Sequence, residues 1–311
     1  MWFVFYINHT EIINLATLIV IGGPTASGKT GLAIELAKEL NTEIISADSR
    51  QCFKEISIGT AKASPTELNS VKHHFIDCLS VSETVNAGKF TQLADDVIAE
   101  LSKTKDYIIV AGGTGLYIKS LIEGLDNLPH IPEEFRKEIK SDFEAKGLEF
   151  FVNELSNNDP EYASKVDLHN HARVIRAVEL MRFTGKPYSS LIGGKPENPR
   201  YKSISFCIDI PRQQLYSRIN NRVDQMMDQG LLEEAKSVYN FKANPALQTV
   251  GYKEMFDYID GKYSMTEAVD LIKQHTRNYA KRQLTWFRHQ GNYRFIEPKL
   301  SIIKEYLRNE K

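Results

Sequence analysis

The stretch IGGPTASGKT at residues 21–30 follows the apolar run Leu18, Ile19, Val20 and precedes GLAIELAKEL, in which Leu32, Leu36 and Leu40 recur at helical spacing. Gly23, Gly28, Lys29 and Thr30 fill the fixed places of the pattern GxxxxGK[ST]. Strand, glycine loop and helix in that order describe a phosphate loop. Its residues Gly23, Pro24, Thr25, Ala26, Ser27 and Gly28 turn backbone N–H groups around a phosphate, Lys29 adds a positive charge, and Thr30 offers a hydroxyl to Mg²⁺. The pattern alone points to an NTPase or kinase. The later strand YIIVAGG, however, carries no acid where a Walker B aspartate would hold the metal, and no guanine-reading NKxD occurs. A diphosphate that is not a nucleotide's is therefore an open reading.

Working outward, TEIISAD is a second strand, DYIIVAGGTG a third that runs into a glycine turn, and SISFCIDIP a fourth, with helical stretches such as FTQLADDVIAELSK between them. This alternation predicts an α/β fold: a P-loop NTPase-like parallel sheet with helices on both faces. Ligands of such sheets sit beyond the carboxyl ends of the strands, so the phosphate loop, Asp48 and the GGTG turn should share one cleft. From residue 125 to 199 the strand signal stops. IPEEFRKEIKSDFEAKG and DLHNHARVIRAVELMRFTGK read as punctuated helices, the second stopping at Gly185. An all-helical insertion domain is expected at 125–199, with the catalytic core at 17–124 and 200–311. The core should be mostly helical after residue 210, up to a last short strand, YRFIE. Residues 1–16 read as an N-terminal extension: they lack a basic n-region, a cleavage site and enough apolar residues for a membrane span.

A formal net charge of −1 argues against a polybasic protein while leaving room for a local basic surface. Cys52, Cys78 and Cys207 are far apart and form no CxxC, so neither a zinc site nor a disulfide framework follows. A cytoplasmic monomer without a membrane segment is expected.

Several residues carry chemistry in pattern. Asp48, in ADSRQ, reads equally as a turn aspartate and as a base or metal ligand facing the phosphate loop. Thr114, in GGTGLY, opens a helix with free N–H groups and a hydroxyl, although a glycine turn with a threonine cap is the plainer reading. Arg218 and Arg222, four apart on one helix, read either as a solvated surface or as an anion clamp. His73 and His74 lack a third metal ligand and read as structural or substrate-lining. HTRNYAKRQLTWFRHQGNYR places Arg277, Lys281, Arg282, Arg288 and Arg294 among Trp286, Phe287 and Tyr293 without one acid. A nucleic-acid groove uses that mixture for phosphate contacts and stacking; the alternative is a helix that packs its aromatics inward.

Taken together, GPTASGKT, ISADSRQ, IGTAK, HHFID, AGGTGLY, RVIRAVE, VGYKE and KRQLTWFR resemble the tRNA dimethylallyltransferase family, in family order across nearly the whole chain. Cys52, Phe53 and Ala63 depart from the commoner family residues, and a bacterial type is expected because no zinc-finger segment is seen. The resemblance implies transfer of a dimethylallyl group from dimethylallyl diphosphate to the exocyclic amine of the adenosine 3′ of the anticodon, in tRNAs reading U-starting codons. It implies Asp48 as base, Lys29, Thr114 and Arg222 as catalytic partners, and Mg²⁺ at Thr30. It further implies tRNA contacts from Asp48, Ser49, Arg50 and Gln51; from Thr249, Val250, Gly251, Tyr252, Lys253 and Glu254; and from Lys281, Arg282, Gln283, Leu284, Thr285, Trp286, Phe287 and Arg288. Arg136, Arg173 and Arg176 of the insertion would hold the anticodon stem. The target base should be flipped out of its loop.

Overall fold

The structure, a computed structural model, describes residues 15–126, 128–193 and 199–309. Residues 1–14 of the expected extension lie outside these. Ala16 is buried and donates its N–H to Ser102 Oγ at 3.0 Å, so it already belongs to the core.

In chain order the elements are β1 (Thr17–Gly22), α1 (Lys29–Glu39), β2 (Ile44–Ser46), α2 (Pro65–Ser70), β3 (His73–His74), α3 (Ala87–Leu101), β4 (Tyr107–Gly112) and α4 (Gly115–Glu123). Then come α5 (Glu133–Asn158), α6 (Pro160–Ala163) and α7 (His171–Thr184). The chain continues with β5 (Ser203–Ile208), α8 (Arg212–Asp228), α9 (Leu231–Ser237), α10 (Tyr252–Ile259), α11 (Met265–His289), β6 (Arg294–Ile296) and α12 (Leu300–Asn309). The strands form one parallel sheet in the order β3-β2-β4-β1-β5-β6.

The middle strands are apolar without a break because both of their faces are covered. Ile19, Ile21 and Ile109 pack with Leu32 and Leu36 of α1, Leu215 and Ile219 of α8, and Ile303 and Leu307 of α12. Their neighbours Leu18, Val20, Ile108 and Val110 point the other way, onto Phe90 and Ile98 of α3 and Ile118 and Leu121 of α4. The sequence pattern predicts YRFIE as the last element. In the structure β6 is followed by α12, whose Ile303 and Leu307, one turn apart, were the available signal.

Residues Gly124–Asn198 form a compact unit of their own, inserted between the two parts of the core. Ile139, Phe151, Leu155, Val174, Val178 and Met181 make its interior. Helical structure runs past Gly147, where the sequence reading placed an end: that glycine adopts φ 76° and ψ 178°, and a second helical run continues to Asn158. The stop at Gly185 is a left-handed C-cap, with φ 68°.

Helix α11 lies across the carboxyl end of the sheet. It comes so close that glycine is required opposite it. An added Cβ would lie 2.2 Å from Gln283 Nε2 at Gly113 and 2.1 Å from the Trp286 ring at Gly115. A ring moves less readily than a flexible side-chain end, so Gly115→Ala should cost about 1–3 kcal/mol through overpacking. Chemical denaturation checks this; an unchanged midpoint would mean that α11 withdraws freely.

Candidate active site

The phosphate loop leaves β1 and re-enters helix at Gly28, which caps α1 in a left-handed conformation (φ 99°) without any side-chain bond. The first N–H groups of α1 are thus available to an anion. Ser27 Oγ is buried with no hydrogen-bond partner among the described residues, a donor that a bound oxyanion would satisfy. Lys29 Nζ donates to Pro24 O at 2.7 Å and folds back over the loop.

Gln283 of α11 ties this loop to its neighbour. Its Oε1 accepts the Thr25 N–H at 2.9 Å, and its Nε2 donates to Gly113 O at 3.0 Å. The neighbour is tied to the turn after β2 in the same way. Thr114 N–H donates to Ala47 O at 3.1 Å, and Thr114 Oγ1 accepts the Ser49 N–H at 3.0 Å. Asp48 sits in that turn, where Oδ1 accepts the N–H of Arg50 at 2.9 Å and approaches that of Gln51 at 3.4 Å. Oδ2 has no hydrogen-bond partner among the described residues. Asp48 therefore serves the turn with one oxygen and has the other free for a second role.

One pocket is lined by Thr25, Lys29 and Thr30, then Asp48, Arg50 and Gln51, Arg222, and Thr249, Val250 and Gly251; Thr114 is not part of its lining and meets it through the Asp48 turn. Ala33, Ile44, Ile219, Val223, Met226 and Ile272 give it an apolar side. A cavity of about 550 Å³ shares Arg50, Thr249, Val250 and Tyr279 with the pocket and adds Ser49, Lys253, His275 and Arg282. Arg222 joins the pocket, whereas Arg218 donates to Ser27 O at 3.3 Å. His73 lines the pocket and His74 pairs with Glu43 at 2.6 Å.

Part of the expected tRNA surface is packed inward. Tyr252, Glu254, Gln283 and Phe287 have buried side chains, and Leu284 and Trp286 are partly buried against the core. Glu254 accepts the Gly251 N–H at 2.7 Å and pairs with His275 at 2.6 Å. Phe287 meets Trp286 and Tyr293 edge-on rather than awaiting a base. Here the inward-packing reading holds. The cations divide as well: Arg282 faces the large cavity, while Lys281 and Arg288 line another, with Thr285, beside Arg212 and Tyr216. Arg277 donates to Asn220 at 2.7 Å. At 100° per residue, 281 and 288 share one face of α11 while 282 points about 100° away from them. Within the inserted unit, Arg136 and Arg176 both pair with Glu179, at 3.7 and 2.5 Å, and Arg173 is exposed. Sequence reasoning missed the apolar side of the pocket: Ile219, Val223 and Met226 form a helical stripe that could have been seen on α8, but nothing local links it to Ala33, Ile44 and Ile272.

Comparison with known proteins covers the same ground. Residues 51–290 match the sequence model of the family described as IPP transferase. The tRNA dimethylallyltransferase of Cytophaga hutchinsonii is 47% identical over 282 residues, 90% of this chain and 92% of that one. That of Flavobacterium johnsoniae is 44% identical, over 90% and 93%. The crystal structure of the Bacillus halodurans tRNA isopentenylpyrophosphate transferase superposes with a TM-score of 0.71 at 37% identity, covering 94% of this chain and 96% of that one. A eukaryotic dimethylallyltransferase captured acting on tRNA gives 0.77 at 25% identity, over 91% and 74%.

Burial pushes the Lys29 ammonium down to about 8; Asp48 opposes the shift and Arg222 adds to it. An anionic ligand needs the charged form. Its affinity should be full while Lys29 is protonated and should fall as pH rises through about 8, by about tenfold per unit above that. Titration calorimetry with diphosphate from pH 7 to 9.5 tests this, with about one proton taken up above pH 8. Lys29→Met should bind weakly throughout and lose the slope; a slope that survived it would belong to another group.

Proposed function

The chain belongs to the IPP transferase family, and from that premise we propose that it transfers a dimethylallyl group from dimethylallyl diphosphate to tRNA. The acceptor in this reading is the exocyclic amine of the adenosine 3′ of the anticodon, in tRNAs reading U-starting codons, and the enzyme works in the cytoplasm as a monomer. One observation carries the choice of donor: the phosphate loop and an apolar wall built from Ile219, Val223, Met226 and Ile272 line the same pocket. A hydrocarbon bearing a diphosphate suits such a pocket, with its charged end at the loop and its tail against the apolar wall.

In the reaction the adenosine nitrogen attacks the allylic carbon, the C–O bond to diphosphate breaks, and the bonding pair leaves with the diphosphate. The loop N–H groups, Lys29 and Arg222 stabilise the charge that gathers on it. Asp48 accepts the proton from the nitrogen as the C–N bond forms, which an ordinary carboxylate can do because that nitrogen becomes acidic only then. Thr114, fixed to the Asp48 turn through Ser49, orients the amine or the diphosphate. Thr30 lines the pocket as a hard oxygen donor, the kind Mg²⁺ prefers, and would hold that ion with further ligands from diphosphate and water. Bound there, Mg²⁺ would add positive charge beside the leaving group.

The adenosine must leave its stack to reach Asp48, and the cavity of about 550 Å³ that adjoins the pocket is its proposed way in. Arg50, Lys253 and Arg282 supply positive charge along it. The inserted unit, through Arg173 with Arg136 and Arg176, is the proposed grip on the stem.

Asp48→Asn keeps the turn acceptor and removes the base. Turnover should fall by about two to four orders of magnitude while tRNA affinity stays nearly unchanged; near-full turnover would return Asp48 to the turn alone. Arg282→Ala should lower tRNA affinity and reduce its log–log salt slope by about one, leaving diphosphate affinity intact. An anticodon stem-loop should be modified far better than AMP, and equal efficiency on the two would argue against a tRNA substrate.

A further inference from the structure

Glu234, on α9, is absent from the pocket lining and from the reaction described above. Its carboxylate is nonetheless fully engaged. Oε2 accepts the N–H groups of Ser57 at 2.8 Å and Ile58 at 2.9 Å; Oε1 accepts that of Gly59 at 3.0 Å and the Tyr252 hydroxyl. Three consecutive backbone amides converge on one anion, which fixes the path of their loop far more tightly than a single bond would.

That loop is part of the pocket, since Gly59, Thr60 and Ala61 line it. The Tyr252 ring lies directly on Gly59, where an added Cβ would meet it at 2.7 Å. Burial, with the Glu234 charge, pushes the Tyr252 phenol well above its usual range, so it stays a donor. Ala61 is held at φ 49°, a conformation that a non-glycine residue keeps only under outside constraint.

The loop in turn reaches Asp48. Gln51 Nε2 donates to Thr60 O and to Ala61 O, each at 3.2 Å, and the Gln51 N–H points to Asp48 Oδ1. We propose that Glu234 is a positioning residue for the transfer: by holding the amides of residues 57–59 it sets the carbonyls of Thr60 and Ala61, and through Gln51 the turn that presents Asp48. The inference rests on Asp48 being the base. It concerns a residue about 180 positions further along the chain that never meets the substrate.

The test is the single-turnover rate of Glu234→Gln with dimethylallyl diphosphate and an anticodon stem-loop, both saturating. Gln keeps the shape but turns an N–H donor toward amide donors. The rate should fall on the order of tenfold to a hundredfold, the cost of a base displaced by a fraction of an ångström to an ångström. The Kd for dimethylallyl diphosphate should stay within about threefold, because its proposed ligands, the phosphate loop, Arg222 and the wall from α8 and α11, make no bond to Glu234. Placed on Asp48→Asn, the substitution should slow the reaction no further than about twofold, since it acts through that residue. Gln51→Met cuts the same relay without touching Glu234, should reproduce the loss, and decides the matter if Glu234→Gln does not fold. An unchanged rate, a diphosphate affinity that falls in step with the rate, or losses that add fully to those of Asp48→Asn would overturn the proposal. If Asp48→Asn is itself fully active, the base assignment fails and the relay with it. A slow Asp48→Asn beside normal Glu234→Gln and Gln51→Met sinks the relay alone.

Discussion

A single buried carboxamide holds the reactive end of the sheet together. Gln283 accepts from the phosphate loop at Thr25 and donates to the next strand's turn at Gly113. The Gly113 carbonyl would otherwise be a buried orphan, at a cost of about 1–3 kcal/mol. A side-chain amide carries the acceptor and the donor as two separate atoms of one planar head: an ionised glutamate could not donate to Gly113 O, and leucine would leave both groups unpaired. The pairing also demands a close approach, which explains why the opposing turn is built from glycine. Once α11 is anchored there, its other faces have their places too, and the helix becomes a wall between the pocket and the basic surface.

The electrostatics of the pocket follow from that enclosure. Lys29 and Arg222 are brought near each other, Asp48 offsets the first and Glu67 the second, and burial still disfavours the charge of both cations. An arrangement of this kind is uncomfortable when empty and relieved by a dianionic ligand, which is what a phosphate loop is for. The same crowding leaves Asp48 with a divided task, one oxygen holding its own turn and the other available to the reaction. A base that also forms the turn presenting it is sensitive to everything that shapes the turn, including residues far away in the chain.

The inserted unit stands apart in construction. Phe151, Val174 and Val178 give it an interior that owes nothing to the sheet. Two of its candidate RNA-facing arginines converge on Glu179, itself mostly buried, so their guanidinium groups are pre-arranged rather than free.

Much was legible in the chain itself. Residues 21–30 specify strand, loop and helix because the spacing of two glycines, a lysine and a threonine is a local geometric requirement, and the unbroken apolar runs of β1 and β4 can belong only to strands covered on both faces. The insertion announced itself by the loss of strand signal, and its last helix by Gly185. What stayed hidden depends on contacts distant in sequence. In KRQLTWFR the cations and aromatics look like one RNA-binding stripe. Whether Phe287 points at a base or into the core depends on where α11 lands on Gly22 and Gly115, and no local pattern states that. The apolar wall of the pocket draws on α1, β2, α8 and α11, and Glu234 meets the loop at residues 57–59 across about 175 residues of chain. Local spacing determined which residues could do chemistry; long-range packing decided which of them face the substrate.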